Sequence, residues 1–309
     1  MVFASTPVSA PEIVWWALLP VIVLAVSALL LLTVSSLLKK AINWLASTVS
    51  LTAGVFVLVS TIPIWNKIQN DGAIAFLNDS IGIDGSTVFL TSLIAIAVIT
   101  TSIIARPYLN REGIPDSEFY VLLLLSAAGG VVMATANDLI VLFLGIEILS
   151  IAVYVLVALH LRKIESQEGA IKYFLLGAFS SAFLLYGIAL VYGAIGSTNL
   201  FAIKNYLASS ILVEDGMLMI GFALMIVGLG FKIAAFPFHS WTPDAYQGAP
   251  TPVVVWMAAG VKVAGFAALI RVFPLTFASY VDDWQIPIAC LLYTSDAADD
   301  MQCVDLGGR

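Results

Sequence analysis

The decisive stretch of the chain, residues 228–250, reads GLGFKIAAFPFHSWTPDAYQGAP. It continues an apolar run that begins near Met217, and the only charged residue before the end of that run is Lys232. Pro237 lacks a backbone donor, and its ring clashes with the carbonyl four residues earlier, so a helix must kink or break here. Irregular backbone at membrane depth survives only where protein or a water-filled cavity covers it. We therefore predict a functional site beside a broken membrane helix, in preference to a lysine that snorkels to the headgroups.

The composition is that of a membrane protein. Of the 309 residues, 61% are hydrophobic and 11% are charged, and the mean hydropathy is +1.03. The net charge of −7 comes with no basic tract, so we expect no nucleic-acid partner. The histidines, His160 and His239, and the cysteines, Cys290 and Cys303, form no metal-ligand pattern. We therefore expect no haem, iron–sulfur cluster or other metal site in this chain.

Apolar runs between polar turns predict eight helices and the start of a ninth near Trp284. The eight are expected at about residues 14–38, 41–64, 86–105, 118–136, 139–160, 170–195, 216–236 and 252–273. A polar loop is expected over residues 65–85, and a short interfacial helix over 199–210. The predicted fold is an all-α polytopic membrane protein with about eight or nine transmembrane helices.

Loop charges predict the orientation of this bundle. Basic residues follow the first, third and fifth helices, at Lys39 and Lys40, Arg106 and Arg111, and Arg162 and Lys163. The opposite loops are mainly acidic. The positive-inside rule then predicts a multi-pass protein of the bacterial inner membrane with its N-terminus outside.

Three ionisable residues lie deep in predicted helices: Glu147 in helix 5, Lys232 in helix 7 and Lys262 in helix 8. Each costs about 2.5–3.5 kcal/mol at a helix centre. A structural salt bridge would explain one Glu–Lys pair, but it would leave the second amine and the helix break unexplained. We therefore favour a proton relay, in which a Glu–Lys pair that can separate releases a proton through water to the second lysine.

Weaker polar signals surround these three residues. Ser150 and Tyr154 follow Glu147 at i+3 and i+7, so they share its helix face. His239 could extend the relay or cap the broken backbone, and both interpretations stay open. Lys172 is expected to snorkel to the headgroups, and the small residues within 179–183 are expected to serve helix packing.

The last segment, residues 291–309, cuts off an apolar run after about nine residues, which is too short to span a bilayer as a helix. It resembles translated sequencing-adapter sequence. We expect native sequence to stop near Cys290, the alternative being a genuine soluble tail, and Cys303 is assigned no role.

Residues 231–252, FKIAAFPFHSWTPDAYQGAPTP, resemble the signature of the antiporter-like subunits of type I NADH:quinone oxidoreductase, respiratory complex I. Residues 144–156, LGIEILSIAVYVL, resemble the helix-5 glutamate motif of that family. Residues 170–187, AIKYFLLGAFSSAFLLYG, are most similar to subunit N, the bacterial counterpart of mitochondrial subunit 2. The similarity runs from the first helix to about Cys290.

The resemblance implies about 14 helices with two inverted five-helix repeats, each containing a broken helix. It assigns transmembrane helices 1–3 to residues 1–117, the first repeat (helices 4–8) to 118–273 and the start of helix 9 to 274–290, and the expected non-native tail follows at 291–309. By analogy, Glu147 is the helix-5 glutamate, Lys232 the lysine beside broken helix 7 and Lys262 the central lysine of helix 8. The second repeat is missing from the sequence, so we expect this polypeptide alone to be unable to complete a proton path.

The implied function is proton translocation by a membrane subunit of complex I, with the lipid bilayer and other membrane subunits as partners. NADH, FMN, Fe–S clusters and quinone are expected on other subunits or their interfaces, so this chain carries no redox chemistry. One alternative is a subunit of a multi-subunit cation/proton antiporter or membrane-bound hydrogenase, against which the helix-6 stretch argues. The other is a purely structural subunit, which predicts that neutralising Glu147 or Lys232 lowers assembly but not pumping per complex.

Overall fold

The computed structural model describes residues 11–37, 43–114, 116–209, 216–291 and 293. Within these residues, eight helical spans are long and apolar enough to cross a membrane. Seven are α1 (Trp15–Leu37), α2 (Asn43–Asp71), α3 (Gly85–Glu112), α4 (Asp116–Thr135), α5 (Leu139–Val157), α6 (Ile164–Ile195) and, after a short helix α7 (Leu200–Ser209), α8 (Gly216–Ile233). The eighth span is Thr251–Thr276. The prediction of an all-α polytopic membrane protein with eight or nine spans is confirmed.

The connection between α2 and α3 differs from the predicted loop over residues 65–85. Helix α2 continues to Asp71, and an antiparallel hairpin follows, with β1 at Ile74–Phe76 and β2 at Ile81–Ile83. The helix continues because Ile64 and Ile68, one turn apart, both pack against the apolar face of this hairpin. The predicted loop is therefore wrong as a description of this segment.

Helix α8 ends at Ile233, three residues before the predicted end at 236. Ala234 has a φ of 58°, in the left-handed region, and this residue ends the helix. The chain then turns until α9 (Thr242–Gly248). The predicted break beside Lys232 is present, but it precedes Pro237 rather than following from it.

The eighth span is irregular. It consists of α10 (Thr251–Trp256), a π-helical turn at Met257–Val261, α11 (Lys262–Ile270) and a second π-helical turn at Arg271–Thr276. π-Helical turns widen a helix locally and recur at functional sites. Residues 281–291 are helical, where a ninth helix was expected near Trp284.

Helices α4 and α5 form a closely packed antiparallel pair. An ideal Cβ on Gly129 would lie 2.5 Å from the backbone nitrogen of Leu149, so only glycine permits this approach. Asp138 caps α5 by accepting hydrogen bonds from the backbone of Ile140 and Val141. The close pair holds the polar face of α5 in a fixed position.

Some predictions fall outside the described residues. Most of the tail at residues 291–309, including Cys303, is among them, as are Lys39 and Lys40.

Candidate functional site

The amine of Lys232 is buried at the end of α8, where the residue is 3% exposed. Its Nζ donates to Ser150 Oγ at 2.6 Å and lies 3.5 Å from the hydroxyl oxygen of Tyr154. Ser150 in turn donates to the carbonyl of Ile146, one turn earlier on α5. The face of α5 on which the sequence placed Ser150 and Tyr154 therefore faces Lys232.

Glu147 lies on the same helix, three residues before Ser150, and is half-buried. Its Oε1 accepts a hydrogen bond of 2.5 Å from Ser181 Oγ on α6. Among the described residues no ion pair joins Glu147 to Lys232, although the Glu147 carboxylate is near enough to attract the Lys232 amine. Ser181 was missed because residues 179–183 were interpreted as packing; its neighbour Ser180 does pack, donating to the carbonyl of Gly228 at 3.1 Å.

The break in α8 leaves backbone carbonyls without their usual partners four residues on, and side chains donate to two of them, one of which also accepts from the backbone nitrogen of Ala234. Trp241 Nε1 donates to the carbonyl of Phe231 at 3.2 Å, and Lys262 Nζ donates to the carbonyl of Ile233 at 2.5 Å. A Cβ on Gly265 would lie 3.0 Å from Ile233 Cγ2, so α11 packs directly against this helix end. In the structure Lys262 thus contacts Ile233, the residue that directly follows Lys232.

Trp241 provides a test of how far these side-chain donors stabilise the break. The indole is buried and stacks on Tyr173 with a ring separation of 4.4 Å. Trp241→Phe keeps an aromatic ring but removes one of the two hydrogen bonds to the carbonyl of Phe231, which keeps the bond from the backbone nitrogen of Ala234. We therefore expect the free energy of unfolding to fall by about 0.5–1.5 kcal/mol. Thermal unfolding of the purified protein measures this. Trp15→Phe, at a 66% exposed site, is the control, and equal shifts in both variants would contradict the interpretation.

His239 lies in the turn between α8 and α9 and is half-buried. Its backbone carbonyl accepts a hydrogen bond from the Thr242 nitrogen at 2.8 Å, and its ring lies 5.3 Å from that of Phe236. In the described part of the chain no hydrogen bond joins its side chain to Lys232 or Lys262. The contacts at His239 support a role in the turn, while its role in the relay stays a prediction.

Lys172 does not simply reach toward the headgroups, as the sequence suggested. Its Nζ lies 2.7 Å from Asp244 Oδ2 and 2.6 Å from Glu168 Oε1. The pair with Glu168 follows from i,i+4 spacing on α6, but Asp244 comes from α9 and could not be inferred from one helix. Lys172 therefore ties the segment after the break to α6.

Comparisons with known proteins identify the family to which this chain belongs. A sequence model of the family described as "NADH:quinone oxidoreductase/Mrp antiporter, TM" matches residues 136–296. NADH-quinone oxidoreductase subunit N of Trichlorobacter lovleyi is 38% identical over 271 residues, which cover 86% of this chain and 54% of that protein. The chain spans about half the length of the curated relatives it matches.

Solved structures show the same architecture. A chain of respiratory complex I from Thermus thermophilus with bound aureothin matches with a TM-score of 0.69 and 35% identity, over 82% of this chain and 53% of that one. A chain of a membrane-bound sulfane sulfur reductase, an archaeal respiratory membrane complex, matches with a TM-score of 0.72 and 25% identity, over 84% and 53%. The resemblance stated for residues 231–252 is confirmed. Since the family model covers just over half of it, this chain belongs to the NADH:quinone oxidoreductase/Mrp antiporter transmembrane family.

Proposed function

We propose that this chain is a proton-translocating membrane subunit of NADH:quinone oxidoreductase, in the bacterial inner membrane with its N-terminus outside. The Trichlorobacter lovleyi protein and the Thermus thermophilus chain support the assignment, because the first is named subunit N of that oxidoreductase and the second belongs to respiratory complex I. On this proposal the chain is the translocase part of the enzyme, its partners are the other membrane subunits, and those subunits carry NADH, FMN, Fe–S clusters and quinone. Its helices 4–8, residues 118–273, are proposed as the first repeat.

One observation carries the proposal: an amine that is 3% exposed lies beside a broken helix and is hydrogen-bonded to a polar stripe. A buried lysine that served only stability would be paired with a carboxylate, because an unpaired charge in this setting is unfavourable. Lys232 instead contacts hydroxyls directly, which can both donate and accept protons, while the Glu147 carboxylate attracts the amine without forming an ion pair with it. This arrangement suits a group that gains and loses a proton.

The contacts suggest an order for the relay. Glu147 lies at one end of the α5 stripe, and Ser150 joins that stripe to Lys232. In the transfer step the protonated amine of Lys232 gives up one proton, and the neutral amine of Lys262 accepts it through water, so that the charge moves by one helix. Lys262 donates to the carbonyl of Ile233, which directly follows Lys232 in the chain. A movement of the broken end of α8 would therefore change the positions of both amines together. His239 is kept as a proposed member of the relay.

A variant of Glu147 tests the proposal. Glu147→Gln keeps an oxygen that can accept from Ser181 but removes the titrating group. In the complete complex that contains this chain, we expect quinone reduction and proton uptake to fall together by about tenfold or more, as for loss of a proton carrier from a coupled path. Both rates are measured on vesicles and divided by the amount of assembled complex.

Glu118→Gln, at an exposed position in the first turn of α4, is the matched control and should leave both rates unchanged. A structural subunit predicts a different result for Glu147→Gln. In that case less complex would assemble, but each assembled complex would pump normally, and the relay would be rejected. If the chain instead belongs to an antiporter, a hydrogenase or a sulfur reductase, vesicles that contain the unmodified complex would show no quinone reduction.

A further inference from the structure

A buried arginine lies at the end of the bundle that carries the β1–β2 hairpin, far along the eighth span from the helix break. The side chain of Arg271 is 4% exposed. Its Nε donates to the carbonyl of Ala134 at 2.6 Å, and its Nη2 binds Thr87 Oγ1 and lies 3.2 Å from Asp84 Oδ2. Asp84 also caps the first turn of α3. One guanidinium therefore joins the eighth span to the start of α3 and the end of α4.

A cavity of about 500 Å³ opens beside this ion pair. Its polar lining residues include Asp79, Asp84, Asn137, Lys204 and Arg271. Burial alone would raise the pKa of the Asp84 carboxyl, but the Arg271 charge and hydrogen bonds from the first turn of α3 lower that pKa overall. The Asp84 carboxyl is therefore ionised at neutral pH, and both residues of the pair line the cavity.

Behind Arg271 the eighth span becomes apolar. Ala267, one turn earlier, is buried in a small cluster with Leu90 and Ala134, and Val263 packs against this cluster. Lys262 adjoins Val263, and it lies nine residues, or about 13.5 Å of helix, from Arg271. Along the span, Lys262 is therefore separated from the cavity first by this apolar cluster and then by the positive charge of Arg271.

We propose that Arg271 and the apolar cluster of Leu90, Ala134, Val263 and Ala267 form a barrier that stops protons from passing between this cavity and Lys262. The inference rests on the proposed function, since a barrier is needed only where protons move. An apolar constriction excludes water, and a fixed cation in a narrow passage repels protons and other cations. Arg271 is thus a leak-barrier residue and does not itself carry the proton.

Asp84 distinguishes the barrier from an ordinary structural ion pair. In the barrier, the positive charge repels the proton, and Asp84 partly neutralises it. Removing the Asp84 charge should then leave the barrier intact or strengthen it, although stability falls because a buried cation loses its partner. A structural pair predicts that loss of either partner has the same effect on permeability.

The test measures passive proton influx into vesicles that contain the complete complex, after a pH step without NADH. The double variant Arg271→Gln plus Asp84→Asn removes both charges and leaves no unpaired buried ion, so it should assemble. We expect its proton permeability to rise about tenfold. Asp84→Asn alone and Arg271→Lys should leave the permeability at the level of the unmodified complex.

Unchanged permeability in the double variant would overturn the barrier, and so would an equal rise in Asp84→Asn. The same vesicles separate this outcome from failure of the proposed function. If NADH-driven proton uptake is absent in the unmodified complex, the proposed function fails. If that uptake is present while the double variant is no leakier, only the barrier fails.

Discussion

Replacing Lys232 with methionine should lower both proton uptake and quinone reduction in the complete complex, by about tenfold or more in each. Methionine has a similar length but cannot carry a proton, so it would interrupt the proposed path from Glu147 to Lys262. Because the two reactions are proposed to be tightly coupled, the redox rate falls with the proton rate. The measurement is NADH-driven quinone reduction and vesicle acidification on the same preparation.

The variant is expected to fold. Lys232 is 3% exposed, and methionine avoids the cost of about 2.5–3.5 kcal/mol that a lysine carries at the centre of a membrane helix. Ser150 keeps the carbonyl of Ile146 as a hydrogen-bond partner when the amine is removed. Lys67→Met is the matched control, because that exposed amine lies over the Trp16 ring at 4.3 Å, away from the relay. If Lys232→Met complexes assemble and retain both activities, Lys232 is a structural residue and the relay proposal is wrong.

Much of the fold could be predicted from the sequence because membrane helices are long apolar runs, and the bilayer fixes their length. The errors lie where the helix end depends on contacts or on one backbone angle. Helix α2 continues to Asp71 because Ile68 packs on a hairpin, and no apolar run in the sequence predicts that hairpin. Helix α8 ends at Ile233 because Ala234 has a positive φ, which cannot be inferred from alanine, a residue that avoids this region.

The site was predictable within single helices and not between them. Helical periodicity placed Glu147 and Ser150 on one face of α5, as observed, because i+3 spacing depends only on helix geometry. The partners across helices, such as Ser181 for Glu147 or the Ile233 carbonyl for Lys262, depend on which helices pack together. Arg271 was overlooked because it lies two residues before the predicted end of helix 8, where a cation is expected to reach the headgroups.

Substitution of Gly248 with alanine should have the largest effect on assembly. Gly248 ends α9, and an ideal Cβ there would lie 2.2 Å from the carbonyl oxygen of Glu165 and 3.1 Å from the Cα of Ser166. Both atoms belong to the backbone of α6, so no side chain can move aside. Forced overpacking of this kind costs about 1–3 kcal/mol or more, and we expect a matching loss of thermal stability.

The same substitution should also lower the rate of proton transfer through the proposed relay, although Gly248 is not part of it. Helix α9 can accept the methyl group only by moving away from α6, which separates Asp244 from Lys172 and pulls on the turn that begins at Ala234. We therefore expect both less assembled complex and a lower proton rate in each complex that does assemble. Gly216→Ala, at the start of α8, is the control, since an ideal Cβ there would meet no atom from the other described parts of the chain within 4 Å. If Gly248→Ala lowered assembly but left the rate per complex unchanged, the segment after the break would act only as a support, and the relay would not depend on its position.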